Sequence, residues 1–323
     1  MKKTGLAALA IAAFAAFALP AQAQYAGDRP VRVIVPANAG SGQDAATRIL
    51  TDVLGKVMGR SFVIENRAGA NGLIGTDAVA KAPADGYTLG ATGSSALAAV
   101  QTLYKSVPYD PAKDFAPVYL LAGAPSVAFV GADSPDKTLQ DLVARARAAG
   151  AKKLIYGTAD ATGIVAGQML QKVAGVQMEN VQYKSGMDGM ADVMRGDIAL
   201  FFSSVPAARA LVEQNKVRPL AVAAAKRIAA LPNTQTYAEA GLPGIELFNW
   251  MGIVAPAGTP KAMVNQLAEG IRQAIKDPEL QKRYGAFGLD LFTDSGPDQF
   301  DAYIKTEITK WNQNLRAAGF KPE

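Results

Sequence analysis

Five short stretches hold the residue types that could do chemistry. The first is Pro36-Ala37-Asn38-Ala39-Gly40-Ser41-Gly42, with Asp44 just beyond. The second is Gly90-Ala91-Thr92-Gly93-Ser94-Ser95, and the third is Gly157-Thr158-Ala159-Asp160-Ala161-Thr162-Gly163. The fourth is Tyr183-Lys184-Ser185-Gly186-Met187, and the fifth is Ser203-Ser204 before Pro206. Each follows an apolar, β-rich run and precedes a helical pattern. Small residues, hydroxyls and free backbone N–H groups at a helix start suit a small anion. In α/β sheets such carboxyl-end loops form the ligand crevice. The candidate ligand contacts are therefore Ala37, Asn38, Ala39, Gly40, Ser41 and Asp44 in the first loop; Thr92, Gly93, Ser94 and Ser95 in the second; Thr158, Asp160, Thr162 and Gly163 in the third; Ser185, Gly186 and Met187 in the fourth; and Ser203 in the fifth. A structural reading stands beside each of these. Ser94, Ser95, Thr162 or Ser204 can cap its own helix, and Asp44 and Asp160 can be helix-start charges.

The first stretch also fits a dinucleotide fingerprint. Gly40-Ser41-Gly42-Gln43-Asp44-Ala45 matches G-x-G-x-x-[GA], and Glu65 closes the next apolar run. Four residues, Pro36 to Ala39, separate the strand from the first glycine, where a Rossmann turn has almost none. The NAD reading is set aside and no cofactor is expected. The chain has no histidine and no cysteine, so zinc sites, histidine triads and disulfides are excluded. A hydrolase or isomerase would have to draw its base from Lys184, Asp44 or Asp160.

The elements that position these loops alternate along the chain. Strands are predicted at 31–36, 62–66, 87–92, 116–123, 126–132, 153–158, 179–184, 198–204, 218–224 and 244–255. Helices are predicted at 43–58, 71–81, 137–149, 163–174, 187–195, 206–215, 260–276, 278–287 and 297–317. This order implies an α/β fold with mainly parallel sheets. Met187, Met190 and Met194 have helical spacing and are expected in the core. Trp250 and Phe248 either wall a cleft or fill the core. The long apolar stretches 116–132 and 244–255 suit strands passing between two lobes. Lobe I would be 24–124 plus 249–323, lobe II 125–248, with a ligand cleft between them.

The N-terminus reads as a secretory signal peptide over 1–23. Lys2 and Lys3 precede an apolar run from Leu6 to Leu19, and Ala21-Gln22-Ala23 forms the cleavage site. Two lysines in place of twin arginines favour Sec export. No cysteine follows the site, so the expected product is a soluble periplasmic protein and not a lipoprotein. Its weak basic excess does not suggest nucleic acid and mildly favours anions.

At RPVRVIVPANAGSGQDAATR, VIENRAGANGLIGTDAVAKAPADGYTLGATGSS, VQYKSGMDGMADVMRGDI and WMGIVAPAGTP the chain resembles the Bug family, the substrate-binding proteins of tripartite tricarboxylate transporters. The resemblance implies a type II periplasmic-binding-protein fold and no enzymatic activity. It implies a monomeric receptor that delivers a small carboxylate to a permease with a large and a small subunit. It also implies contacts through main-chain amides, hydroxyls and waters, with Thr92–Ser95, Thr158–Gly163 and Ser185–Met187 supplying most of them. Ser185 and Thr92 are the expected direct carboxylate donors. There are departures. Ala37 and Asn38 replace an aromatic and a proline-bearing pattern, Ser185 replaces a glycine, and Ala199 and Ser203 stand where other members carry acids. The loss at 203 disfavours an amino-acid ligand. A second role, presenting the ligand to a signalling receptor, stays open.

Overall fold

In the computed structural model one strand, β4 (Phe115–Gly131), belongs to both sheets of the molecule. The structure describes Tyr25, residues 28–150 and residues 152–317; the signal peptide and its cleavage site lie outside the described residues. The first sheet begins with β1 (Val31–Val35), β2 (Phe62–Asn66) and β3 (Thr88–Gly93), all parallel. The crossovers are α1 (Gly42–Met58) and α2 (Leu73–Ala80). Helix α1 starts at a Ser41 cap and stops at Gly59, whose φ of 62° is the left-handed geometry that suits glycine at a helix end. Its apolar face, with Ile49, Leu50 and Leu54, shares a core with Leu267 and Ile271 of the C-terminal region.

Strand β4 carries the chain into the second sheet. There it is joined by β5 (Leu154–Thr158), β6 (Met178–Gln182), β7 (Leu200–Ser204) and β8 (Val217–Val222). Strands β5, β6 and β7 are parallel, and β7 and β8 run antiparallel to β4. The helices here are α4 (Leu139–Ala148), α5 (Ala161–Ala174), α6 (Gly186–Arg195) and α7 (Val205–Glu213). The chain returns through β9 (Phe248–Pro256), which fits antiparallel between β3 and β4. It ends with α8 (Lys261–Ala274), α9 (Pro278–Ala286), a short β10 (Asp290–Leu291) on β4, and α10 (Pro297–Ala317). The result is a two-lobed α/β fold with mixed sheets, because β4, β8, β9 and β10 add antiparallel pairs to the expected parallel sets. No helix among the described residues is long and apolar enough to cross a membrane.

Four expectations need correction. The strands expected at 116–123 and 126–132 are one strand. Pro125 does not break it, because this residue lies where β4 exchanges one set of partners for another: Pro125 faces Phe248, and Ser126 faces Ser204. The strand expected from 244 begins at Phe248, after Gly244 turns the chain at a φ of 86°. A π-helical segment (Ser95–Ala99) running into α3 (Val100–Leu103) follows β3, where the second loop was expected to lead into a helix but no helix range was predicted. Its run SALAAVQTL is apolar on nearly all faces, so it shows no helical period. Of the three methionines only Met190 is buried in the core; Met194 is half-buried and Met187 is 59% exposed. Met187 sits in the first turn of α6, at the strand ends and short of the sheet face on which Met190 packs with Phe201.

Trp250 is a core residue, 1% exposed. Its indole N–H donates to Glu307 Oε2 at 2.9 Å, and Trp311 donates to the same oxygen at 3.1 Å. Both tryptophans of the chain thus hang on one buried carboxylate of α10. Leaving two indole N–H groups unpaired should be costly, at about 1–3 kcal/mol for each buried donor. Glu307→Ala is expected to lower the unfolding free energy by about 2–4 kcal/mol and to shift tryptophan emission. Urea unfolding followed by fluorescence checks both, and an unchanged midpoint would contradict the shared-carboxylate role.

Candidate functional site

The strand registers locate the cleft. In the second sheet Thr158 stands beside Gln182, and Gly157 beside Phe201, so the carboxyl ends of β5, β6 and β7 lie together. The end of β7 pairs Ser203 and Ser204 with Val127 and Ser126 of β4. In the first sheet β3 ends with Gly93 opposite Met251. Ser94 then donates to Asn249 Oδ1 at 2.7 Å, and Asn249 faces Ala124 of β4. The carboxyl ends of β3 and β7 therefore converge on residues 124–126 of β4. Backbones approach closely here. A Cβ on Gly93 would lie 2.0 Å from the Trp250 carbonyl oxygen, so only glycine fits.

The first loop is fixed from within. Asp44 is 2% exposed. Its carboxylate accepts from the Gly40 amide at 2.9 Å, Arg48 Nε at 3.0 Å and Asn66 Nδ2 at 3.0 Å. Asn66 also donates to the Ala37 carbonyl at 3.2 Å, and Gln43 ties the helix start to the Ala91 carbonyl at 2.8 Å. Burial pushes the Asp44 carboxyl up, but the bonds from Arg48, Gly40 and Asn66 and the charge of Arg48 outweigh it and hold the group below its ordinary range. Asp44 shapes the loop, and Asn38, Ala39 and Gly40 are what the loop exposes, with Ala37 and Ser41 half-buried.

The second loop begins inside β3. Thr92 is fully buried, and its hydroxyl pairs with that of Thr76 at 2.9 Å. Ser94 is engaged by Asn249, and Ser95 is half-buried at the start of the π-helical segment.

In the third loop Thr158 donates to Asn180 Oδ1 at 3.1 Å. Asp160 caps α5 and accepts from the Gly163 amide at 2.8 Å. Burial pushes the Asp160 carboxyl above its ordinary range, despite the bonds from the Gly163 and Thr162 amides. Thr162 is 3% exposed, and its hydroxyl has no hydrogen-bond partner. Gly163 packs tightly on Thr158: a Cβ there would lie 3.1 Å from the Thr158 Cβ.

Ser185 caps α6: its hydroxyl accepts from the Asp188 amide at 3.3 Å and donates to Asp188 Oδ2 at 2.9 Å. A Cβ on Gly186 would lie 4.0 Å from Ser203 Oγ, which puts the fourth and fifth loops side by side. Met187 and Lys184 are exposed. Tyr183 donates to Asp192 at 2.7 Å; burial, together with that acid, pushes its phenol up to about 12. Ser204 precedes α7 without a side-chain cap bond, and the first turn of α7 holds no acid.

The structure thus gathers Thr158, Asp160, Thr162, Gly163, Ser185, Gly186 and Ser203 along one edge, and Ser94 and Ser95 along the facing edge. Three residues not singled out from the sequence complete these contacts: Asn249, Thr76 and Asn180. Asn249 was visible as a polar residue inside an apolar strand run; Asn180, in the polar run ENVQYK, and Thr76 gave no such signal. The helix starts differ in what they can offer. Those of α1, α5 and α6 each hold an acid of their own, Asp44, Asp160 and Asp188. The starts of α7 and of the π-helical segment do not.

The model of the family described as tripartite tricarboxylate transporter family receptor matches residues 46–320. The chain is 34% identical over 287 residues, 88% of its length and 85% of the other's, to a protein encoded in the tcbD–tcbE intergenic region of Pseudomonas sp. strain P51. Among solved structures it is similar to the periplasmic binding protein BugD, with 29% identity and a TM-score of 0.85 over 92% of this chain and 100% of that one. It is also similar to R. palustris Rpa4515 with adipate, with 32% identity and a TM-score of 0.86 over 91% and 99% of the two chains.

The Asp44 network has a pH signature. A carboxylate whose folded pKa is depressed contributes stability above its unfolded pKa and loses it as the pH falls through the folded value. Melting temperatures measured from neutral pH down through the carboxylate range should therefore fall more steeply in the wild type than in Asp44→Asn. Parallel curves would show that the network stores no charge-dependent stability.

Proposed function

This chain belongs to the tripartite tricarboxylate transporter receptor family, and on that premise we propose that its solute is a small carboxylate, held between two lobes that close over it. A solute-binding receptor of such a system, with the two-lobed fold of periplasmic binding proteins, binds and delivers and does no chemistry. The lobes are taken as residues 24–124 with 249–323, and 125–248. The protein acts in the periplasm as a monomer after Sec export and hands its solute to a permease with a large and a small subunit.

The observation that carries this reading is the convergence of the carboxyl-end loops of both sheets on β4, with a buried hydroxyl at Thr162 left without a partner among them. Backbone N–H groups and hydroxyls can hold an anion without a full countercharge, and ordered waters can bridge what they do not reach. A two-carboxylate acid bound to the similar Rpa4515 supports the ligand class. The ligand-contact set remains Ala37, Asn38, Ala39, Gly40, Ser41, Ser94, Ser95, Asp160, Thr162, Gly163, Ser185, Gly186, Met187 and Ser203. Thr92, Gly93, Thr158 and Asp44 act behind them. Closure follows from higher affinity for the closed state, so ligand and lobe closure stabilise each other.

A thermal-shift screen of Gln24 to Glu323 against carboxylic acids, sugars, amino acids and NADH tests the reading. Ligand at a hundred times its dissociation constant adds about 2.7 kcal/mol, a rise of several degrees for a chain of this size. Rises confined to carboxylic acids are expected. Rises with sugars or NADH alone would overturn the proposal.

A further inference from the structure

Asn249 puts a side-chain amide where the two lobes join. Its neighbours on β9 are committed elsewhere. Phe248 packs edge-on against Phe292, with ring centroids 5.9 Å apart, and Trp250 against Tyr303 at 5.4 Å. Phe292 and Tyr303 also touch each other, so both aromatics of β9 occupy one face of the strand. Side chains alternate along a strand, so Asn249 projects from the other face. Its backbone is pressed onto β4: it faces Ala124, and a Cβ on Gly123 would lie 2.7 Å from its carbonyl oxygen. There the side chain meets Ser94, the first residue past β3. Ser94 is fully buried, and a buried hydroxyl needs a partner. It donates to Asn249 Oδ1 at 2.7 Å. That bond turns the amide, oxygen inward and nitrogen outward. Among the described residues nothing takes the two Nδ2 protons, and the half-buried side chain leaves them open to solvent.

We propose that Asn249 is a specificity-determining residue of the receptor: its Nδ2 group, held outward by Ser94, donates to a carboxylate oxygen of the solute. This rests on the carboxylate reading above and deepens it, by placing a charged end of the solute where β3 and β9 meet the crossing of β4. An amide whose oxygen is turned inward offers donors only. An ammonium also has donors only, so it finds nothing to bond there. A carboxylate has only acceptors to give, and a hydrogen bond to a charged acceptor is about twice as strong as a neutral one. The site therefore favours a carboxylate over a hydroxyl and rejects an ammonium. Ser94 acts through Asn249 and is a positioning residue.

The test is isothermal titration calorimetry with succinate, adipate, citrate and benzoate on the wild type, Asn249→Asp and Asn249→Ala, with melting temperatures of the same proteins without added acid. Aspartate keeps the shape of asparagine and still accepts from Ser94, but it gives no donor and brings a like charge to the solute. Alanine removes the donor, adds no charge and leaves the buried Ser94 hydroxyl unpaired. A solute contact therefore predicts opposite orders in the two measurements. Affinity should fall about tenfold or more in Asn249→Ala and further still in Asn249→Asp. The melting temperature should fall in Asn249→Ala and hold in Asn249→Asp. Ser94→Ala should also weaken the acid, but not further once Asn249 is already replaced by alanine, because it acts through that residue. An Asn249→Asp protein that binds the acid as tightly as Asn249→Ala does, or more tightly, overturns the assignment and leaves the carboxylate reading intact. A wild type that binds none of the four acids overturns both.

Discussion

Everything in this molecule hangs on β4 supplying backbone hydrogen bonds to two sheets at once. Residues 115–125 pair with β9, and residues 126–131 pair with β7 and β8. A strand cannot leave its N–H and C=O groups unpaired in a buried setting, so the partner exchange at Pro125 and Ser126 must be immediate. That requirement brings the ends of β3, β7 and β9 to one place and creates the cleft there. The register of β4 shifts between Pro117 and Tyr119, between Leu120 and Ala122, and between Ala128 and Phe129. Such irregularities let a strand bend and twist locally, and they flank the crossing on both sides.

Contacts between the two sheets' layers fall on more than the crossing strands. Helix α5 packs with the π-helical segment and with α10, and one apolar cluster runs through Leu97, Val165, Leu170, Trp250 and Trp311. Elsewhere Arg209 of α7 donates to the Ala286 carbonyl at the end of α9, where a cation meets the negative pole of a helix. Gly288 fits against Val205 beside it. The cleft is thus bordered by contacts of two kinds, apolar and polar, and the loops between them carry hydroxyls, amides and acids.

Much of the architecture was legible because its signals are local. The runs VRVIV, FVIEN and LIYGT are apolar and β-rich, and each is followed by glycine, serine or aspartate at a helix start, so strand, loop and helix follow in order. The position of the five loops at strand ends follows from the same alternation. What the sequence did not disclose is set by partners distant along the chain. Asp44 in the first loop looks like an exposed acid until Asn66 and Arg48 close on it. Thr92 looks like a ligand hydroxyl until Thr76 faces it from α2. Trp250 reads equally as cleft wall or core until Glu307 on α10 takes its N–H and settles it in the core. The continuity of β4 was hidden by Pro125, whose usual meaning as a strand breaker lapses at a point where the strand changes neighbours.

The place of β9 in the sheet bears on how the chain reaches this fold. The order β2-β1-β3-β9-β4 puts a strand from residues 248–256 between two strands complete by residue 131. Strands β6, β7 and β8 each meet a partner already made, and β5 is paired as soon as β6 follows it. The first sheet cannot close along β3 and β4 until more than a hundred further residues have emerged. Contacts of such long sequence separation form slowly, and an unpaired β3 edge is exposed while they wait. Assembly should run from the middle of the chain outward, with β9 as the closing piece of the first sheet and α8 to α10 sealing it. A lesion in β9 would then trap a chain whose central region is already native.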